Sequence, residues 1–210
     1  MYIENNDAMK KAVIVGVNIN DSNFDHSMIE LGELVKACNM EVVGKITQNL
    51  NEVSTALYVG KGKAEEILEY ANNSNADIII FNDELSASQL RNIQKIIDLP
   101  IMDRTALILE IFATRAKTKE AKLQVEIAKL KYMLPRLVGL HNGLGRQGSG
   151  SGISNKGSGE KKLELDKRKI EEKIVRLNRE LKEIEVKRNV MRRQREKSGT
   201  MLVAMAGYTN

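Results

Sequence analysis

The residues most suggestive of chemistry are the last four of the chain, Gly207-Tyr208-Thr209-Asn210. They follow an apolar run at 201–206, and a P-loop, G-x-x-x-x-G-K-[ST], occurs directly after a buried strand. The four residues match the first four positions of that pattern, whereas its second glycine, lysine and hydroxyl residue are not in the sequence. Because those groups bind the terminal phosphates and Mg²⁺, we expect no nucleotide hydrolysis by this chain alone. The alternative is a terminal strand followed by a turn.

A second segment that could contact phosphate is Gly60-Lys61-Gly62-Lys63. Glycine and lysine between a strand and a helix can hold a phosphate, but the G-x-G-x-x-G spacing is missing, so a tight turn that needs glycine is the favoured interpretation. An ATP-binding enzyme is the weakest hypothesis. The chain has one cysteine, Cys38, and two histidines, His26 and His141, which cannot form a zinc cluster. We therefore predict neither catalytic residues nor a metal site.

Charge is distributed unevenly along the chain. Residues 1–112 contain 9 Lys and Arg against 17 Asp and Glu, a net charge of −8, whereas residues 113–197 contain 24 against 11, a net charge of +13. Such an asymmetry indicates a polyanionic partner, and therefore nucleic acid, for the basic half. The alternative is a pair of charged helices that owe their solubility to these side chains.

The segment 139–159 contains eight of the fifteen glycines, and Arg146 and Lys156 are its only charged residues. Glycine-rich, positively charged segments fit a nucleic-acid backbone, because backbone amides and arginines can approach phosphates without obstruction. A long loop without secondary structure is usually functional or disordered. The segment therefore predicts a nucleic-acid contact, with an inert loop as the alternative.

The N-terminal part alternates between short apolar runs and amphipathic stretches. Its periodicity predicts strands at 12–19, 41–47, 56–59 and 77–81, helices at 25–37, 63–71 and 86–97, and an edge segment at 100–102. This alternation, with continuous apolar strands, predicts an α/β fold with a small, mainly parallel sheet and flanking helices. We assign residues 1–102 to this subdomain.

Two long helices are predicted next, at 104–134 and 160–197, with Pro135 ending or kinking the first. Both carry apolar heptad seams, which predict a coiled-coil-like antiparallel hairpin. The seam residues are Leu123, Ile127, Leu130, Leu134 and Leu137 in the first helix and Leu163, Ile170, Ile174, Leu177, Leu181, Ile184 and Met191 in the second. The predicted hairpin spans 103–197 with its glycine-rich tip at 139–159. Residues 198–210 would begin a further domain with a first strand and a partial P-loop.

The N-terminal sequence lacks a signal-peptide pattern. No apolar run approaches the roughly 20 residues that cross a bilayer. We therefore expect a cytoplasmic protein without a membrane span, and a monomer.

Several segments carry a family resemblance. The run at 103–137, which includes Ala-Lys-Thr-Lys-Glu-Ala-Lys-Leu-Gln, and the run Gly157-Ser158-Gly159-Glu160 with the Lys-Lys-Leu-Glu-Leu-Asp that follows it, closely resemble the HflX family of ribosome-associated GTPases. Residues 58–63 resemble an early motif of that family, and residues 203–210 resemble the entry to its P-loop. The sequence departs from the family pattern at 155–159, where Asn-Lys-Gly-Ser-Gly stands in place of Thr-Arg-Gly-Pro-Gly and loosens the turn.

The resemblance implies a region that precedes a Ras-like GTPase domain, for which GTP and Mg²⁺ are expected in the full-length protein but not in this chain. Family members are expected to bind the large ribosomal subunit and, with GTP, to dissociate stalled or hibernating ribosomes under stress. The partners would be ribosomal RNA and the protein's own C-terminal GTPase domain. The resemblance also implies that the glycine-rich tip binds RNA through Arg146, Gln147, Gly148, Gly150, Gly152 and Lys156. The alternative is a regulatory or scaffolding region that controls the GTPase domain and does not itself bind RNA.

Overall fold

The computed structural model describes residues 9–144, 156–199 and 203. Its strands are β1 (Lys10–Asn18), β2 (Met40–Asn49), β3 (Ile78–Phe81) and β4 (Ile101–Asp103), joined by helices α1 (Phe24–Ala37), α2 (Lys61–Asn73) and α3 (Ala87–Ile93). The strands form one sheet in the order β2-β1-β3-β4, and every pair is parallel. The predicted α/β fold with a parallel sheet and flanking helices is confirmed.

Both faces of the sheet are covered, which explains the continuous apolar strands. Val13, Val15 and Val17 of β1 pack on one face with residues of α2 and α3. Ala12 and Ile14 point to the other face, where α1 and the next helix, α4 (Arg104–Arg115), cover them. α1 lies close to β1 because Gly16 has no side chain, and a Cβ at that position would collide with the side chains of α1.

The strand predicted at 56–59 is wrong. Ser54 and Tyr58 form only a single antiparallel bridge, and Tyr58 has a φ of 66°, in the left-handed region that an extended strand does not use. The apolar run instead buries the Tyr58 ring against Phe81, edge to face with ring centroids 5.5 Å apart. The glycine-dependent turn at 60–63 is also wrong, because Gly60 has a φ of −66° and α2 begins at the next residue.

The helix predicted at 104–134 is in fact two helices. α4 ends at Arg115, and the hydroxyl of Thr118 accepts a hydrogen bond of 3.1 Å from the backbone N–H of Ala121, capping the next helix, α5 (Lys119–Leu144). Pro135 does not end α5. Arg136, the next residue, is held against the sheet by buried contacts, and this tertiary anchoring overrides the intrinsic preference of proline.

The last helix, α6 (Lys156–Lys197), packs against α5 in the antiparallel sense. Glu126 pairs with Lys173 at 2.7 Å, and Glu120, earlier in α5, pairs with Arg188, later in α6, at 3.1 Å. The shared apolar seam consists of the buried Leu123, Ile127 and Leu177 and the half-buried Leu130, Ile174, Leu181 and Ile184. The residues that would connect the two helices, 145–155, lie outside the described residues.

The seam ends earlier than predicted. Met191 is 56% exposed, so its assignment to the seam is wrong. The two helices are antiparallel, and Arg188 pairs with Glu120, the second residue of α5. Met191 therefore lies beyond the N-terminal end of α5 and has no residue of that helix opposite it. In the described part of the chain, the helices are too short or too polar to cross a membrane.

Candidate nucleic-acid interface

Most of the residues predicted to bind ligands lie outside the described residues. This holds for Gly207, Tyr208, Thr209 and Asn210 of the partial P-loop and for Arg146, Gln147, Gly148, Gly150 and Gly152 of the tip. Lys156 is the first residue of α6. Their assignment as binding residues stays a prediction. The candidate surface among the described residues is on the helices.

The densest positive charge is at the C-terminal end of α6. Residues 187–197 contain six Lys and Arg and a single acidic residue, Glu196, and all eleven residues are exposed. At a rise of 1.5 Å per residue, α6 with its 42 residues is about 63 Å long, whereas α5 with 26 residues is about 39 Å long. The end of α6 therefore extends past α5 with its positive side chains in solvent.

Four exposed basic residues of α6 form one surface, which we call the basic face: Arg179, Lys182, Arg193 and Lys197. Their spacings of 3, 11 and 4 place them on one side of a helix, opposite the seam residue Leu177. None of the four forms an ion pair within the described ranges, whereas Arg168 on the same helix pairs with Glu172 at 3.0 Å. Unpaired guanidinium and ammonium groups on an exposed face are suited to contact phosphates.

The helices are held to the sheet by a buried ion pair. Arg136 of α5 is 8% exposed and Asp103, the last residue of β4, is 1% exposed. Nη2 of Arg136 lies 3.0 Å from Oδ2 of Asp103 and donates to the backbone oxygen of Leu85 at 2.8 Å. It also lies 3.2 Å from Glu84. The guanidinium stacks 3.5 Å from the centroid of the Tyr132 ring.

Asp103 joins three elements at this point. Its Oδ1 accepts a hydrogen bond of 2.9 Å from the N–H of Ala106 and caps α4, and its Oδ2 accepts one of 3.1 Å from the N–H of Leu85. Burial, the hydrogen bond with Asp103 and the charge of that carboxylate raise the pKa of Tyr132 above its ordinary value. The phenol therefore stays protonated and can donate to Asp103. This network fixes α5, and through the seam α6, to the sheet.

Two family models identify the chain as the N-terminal and middle regions of a GTP-binding GTPase. A family model described as GTP-binding GTPase N-terminal matches residues 25–113, and one described as GTP-binding GTPase middle region matches residues 115–195. The chain is similar to the GTPase HflX of Alkalihalophilus pseudofirmus, at 44% identity over 204 residues, and to that of Caldanaerobacter subterraneus, at 44% identity over 201 residues. Each match covers 96% of this chain, and 48% and 46% of the respective relatives.

The chain belongs to the GTPase HflX family and spans about half the length of these relatives. The predicted family resemblance is therefore confirmed. Among solved structures, a GTP-binding protein from the archaeon Sulfolobus solfataricus, in complex with GDP, has a similar fold, with a TM-score of 0.59. It is 24% identical, and the match covers 85% of this chain and 46% of that one.

The sequence shows the basic half of the chain but not which of its basic residues lack an ion-pair partner in the fold. The crowding of Arg192, Arg193 and Arg195 at the end of a long helix was a visible signal for the basic face. The pairing of Arg136 with Asp103 had no local signal, because the two residues are 33 positions apart and meet only in the folded chain.

Proposed function

We propose that this chain is the ribosome-binding region of an HflX-type GTPase, and that it contacts ribosomal RNA of the large subunit. In the full-length protein it would help to dissociate stalled or hibernating ribosomes in the cytoplasm under stress. The observation that carries the proposal is the basic face of α6, whose four exposed cations have no ion-pair partners among the described residues. RNA phosphates would supply the missing negative charge.

A firm attachment of the helices would let RNA binding act on the rest of the protein. The seam joins α6 to α5, and the buried pair of Arg136 and Asp103 joins α5 to the sheet. A force on α6 is then transmitted to the sheet and not lost in a flexible joint. Dissociation would follow from wedging these helices into the large subunit, while GTP and Mg²⁺, bound by the GTPase domain of the full-length protein, would set when this happens.

The basic face can be tested by the salt dependence of RNA binding. The affinity falls as salt rises, and each lost phosphate contact makes this negative slope of log K against log salt shallower by about 0.7 to 0.9. The variant Arg193→Gln/Lys197→Gln should therefore bind a large-subunit RNA fragment more weakly, with a slope shallower by roughly 1.5. Lys36→Gln is a matched control, because Lys36 is an exposed lysine of α1 that pairs with Glu33 at 2.7 Å. Equal slopes for the double variant and the control would contradict the proposal.

The predicted tip has a separate test. Arg146→Ala/Lys156→Ala removes the only two charges of the glycine-rich segment, and we expect weaker binding to large subunits with a shallower salt dependence. Unchanged binding would remove the tip from the proposal and leave the basic face as the contact.

A second candidate function is control of the GTPase domain by docking. It is favoured by an apolar groove between α4 and α5, lined by Leu109, Val125 and Ala128 and by Phe112, which is 54% exposed. Exposed apolar grooves are typical of protein contacts. Adding this chain to an isolated GTPase domain should then change its rate of GTP hydrolysis, and an unchanged rate would oppose the docking function.

A further inference from the structure

The end of α6 forms an open step with the short connection between α4 and α5. Because Arg188 lies opposite Glu120, the second residue of α5, residues 189–197 of α6 run past the start of α5, and all of them are exposed. At a rise of 1.5 Å per residue they extend about 13 Å beyond Arg188. The connection lies at the same end of the helical pair, because α4 ends at Arg115 and α5 begins at Lys119.

This connection is strongly positive. Residues 115–119 contain three basic residues and no acidic one, and the three are exposed: Arg115, Lys117 and Lys119. None of them forms an ion pair with an acidic side chain of the described residues. The next residue, Glu120, is already paired with Arg188 at 3.1 Å. The positive end of the α5 helix dipole lies at the same place and adds to the potential.

The end of α6 contributes a cation that faces this connection. Arg195 lies seven residues after Arg188, which itself lies four residues after the seam residue Ile184. These spacings place Arg195 on the side of α6 that carries the seam, and past the start of α5 that side faces the open step. Nε of Arg195 donates to the backbone oxygen of Met191 at 3.4 Å. Within the described ranges, its guanidinium forms no ion pair.

The four cations form one surface, which we call the basic notch: Arg115, Lys117 and Lys119 on one side and Arg195 on the other. The basic notch is distinct from the basic face, because Arg193 and Lys197 point away from the seam, to the opposite side of α6. Exposed cations that the described carboxylates do not neutralise attract a polyanion with closely spaced charges.

We propose that the basic notch binds the phosphate backbone of ribosomal RNA, as a second contact on the side of α6 opposite the basic face. The proposal rests on the proposed function, since the partner is the same RNA. RNA bound in the notch and on the basic face would hold the end of α6 from two sides. An acidic protein segment fits less well, because protein interfaces have an apolar centre, and only Ala116 and Thr118 lie between the cations of the connection.

The test is the salt dependence of binding of the full chain to a large-subunit RNA fragment. Lys117→Gln/Lys119→Gln should make the negative slope of log K against log salt shallower by roughly 1.5, as expected for two lost phosphate contacts. Arg195→Gln, on the other side of the notch, should make it shallower by about 0.7 to 0.9. The matched control is Lys45→Gln/Lys95→Gln, which lowers the net charge by the same amount. Both control lysines are exposed and lie outside α4, α5 and α6.

The binding data distinguish a failure of the notch from a failure of the proposed function. A wild-type chain that does not bind the RNA fragment contradicts both. If Arg193→Gln/Lys197→Gln makes the slope shallower, but the slope of Lys117→Gln/Lys119→Gln equals that of the control, the notch alone is overturned. Weaker binding of polyglutamate with unchanged RNA binding in Lys117→Gln/Lys119→Gln would indicate an acidic protein partner and also overturn the notch as an RNA site. All the substituted side chains are exposed, and thermal unfolding of each variant checks its folding.

Discussion

Replacing Arg136 tests whether α5 is held to the sheet by its buried ion pair. Arg136→Met keeps much of the side-chain volume but leaves Asp103, which is 1% exposed, without its cation. Removing one partner of a buried pair costs about 3–5 kcal/mol, mainly because the other charge stays buried. For a chain of this size, each kcal/mol lowers Tm by about 2–4 °C, so Tm should fall by roughly 6–20 °C.

The assay is urea and thermal unfolding followed by far-UV circular dichroism, with Arg188→Met as the matched control. Arg188 also pairs with a carboxylate, Glu120, but its side chain is 65% exposed, and exposed pairs contribute about 0–1 kcal/mol. We expect the control to remain within about 1 kcal/mol of wild type. A loss below about 1 kcal/mol for Arg136→Met, or equal losses for the two variants, would refute the idea that this pair anchors the helices.

Two further predictions concern the seam and the buried tyrosines. Leu177→Ala, at a position 4% exposed, should lower the free energy of unfolding by about 2–5 kcal/mol. Val175→Ala is the control, at a position 70% exposed, and should change that free energy by less than about 0.5 kcal/mol. Similar losses for the two variants in urea unfolding would argue against a packed seam. The pKa of Tyr132 is raised in the folded protein, so the unfolded chain loses the phenolic proton first as pH rises above about 10. Stability should therefore fall above that pH, with a slope of up to about 1.4 kcal/mol per pH unit from this residue. Tyr132→Phe should show a shallower fall, and an identical pH profile would contradict the assignment.

The sheet could be predicted from the sequence because its signals are local. Buried parallel strands such as 77–81 are continuous apolar runs, and heptads such as Ile174, Leu177 and Leu181 mark a helix seam within a few turns. The boundary between α4 and α5 was not predicted, because residues that favour helix surround it. Its only sequence signal is the hydroxyl of Thr118, which caps α5. Of the two effects predicted for Pro135, an end of the helix is wrong, because the tertiary contacts of Arg136 override this strong local signal. A kink at Pro135 stays a prediction.

The candidate sites were less accessible from the sequence. Net charge predicts nucleic-acid contact in the basic half of the chain, and this stays a prediction. Which cations remain unpaired depends on side-chain partners across two helices, as for Lys173 and Glu126.

The measurement that tests the central claim most directly is co-sedimentation of this chain with purified large ribosomal subunits, compared with small subunits, over a range of salt near physiological strength. Saturable, salt-sensitive binding that favours the large subunit, and that weakens in Arg193→Gln/Lys197→Gln, is the predicted result. Binding that is absent, or equal for both subunits and unchanged in the variant, would contradict the claim that these helices recognise the large subunit.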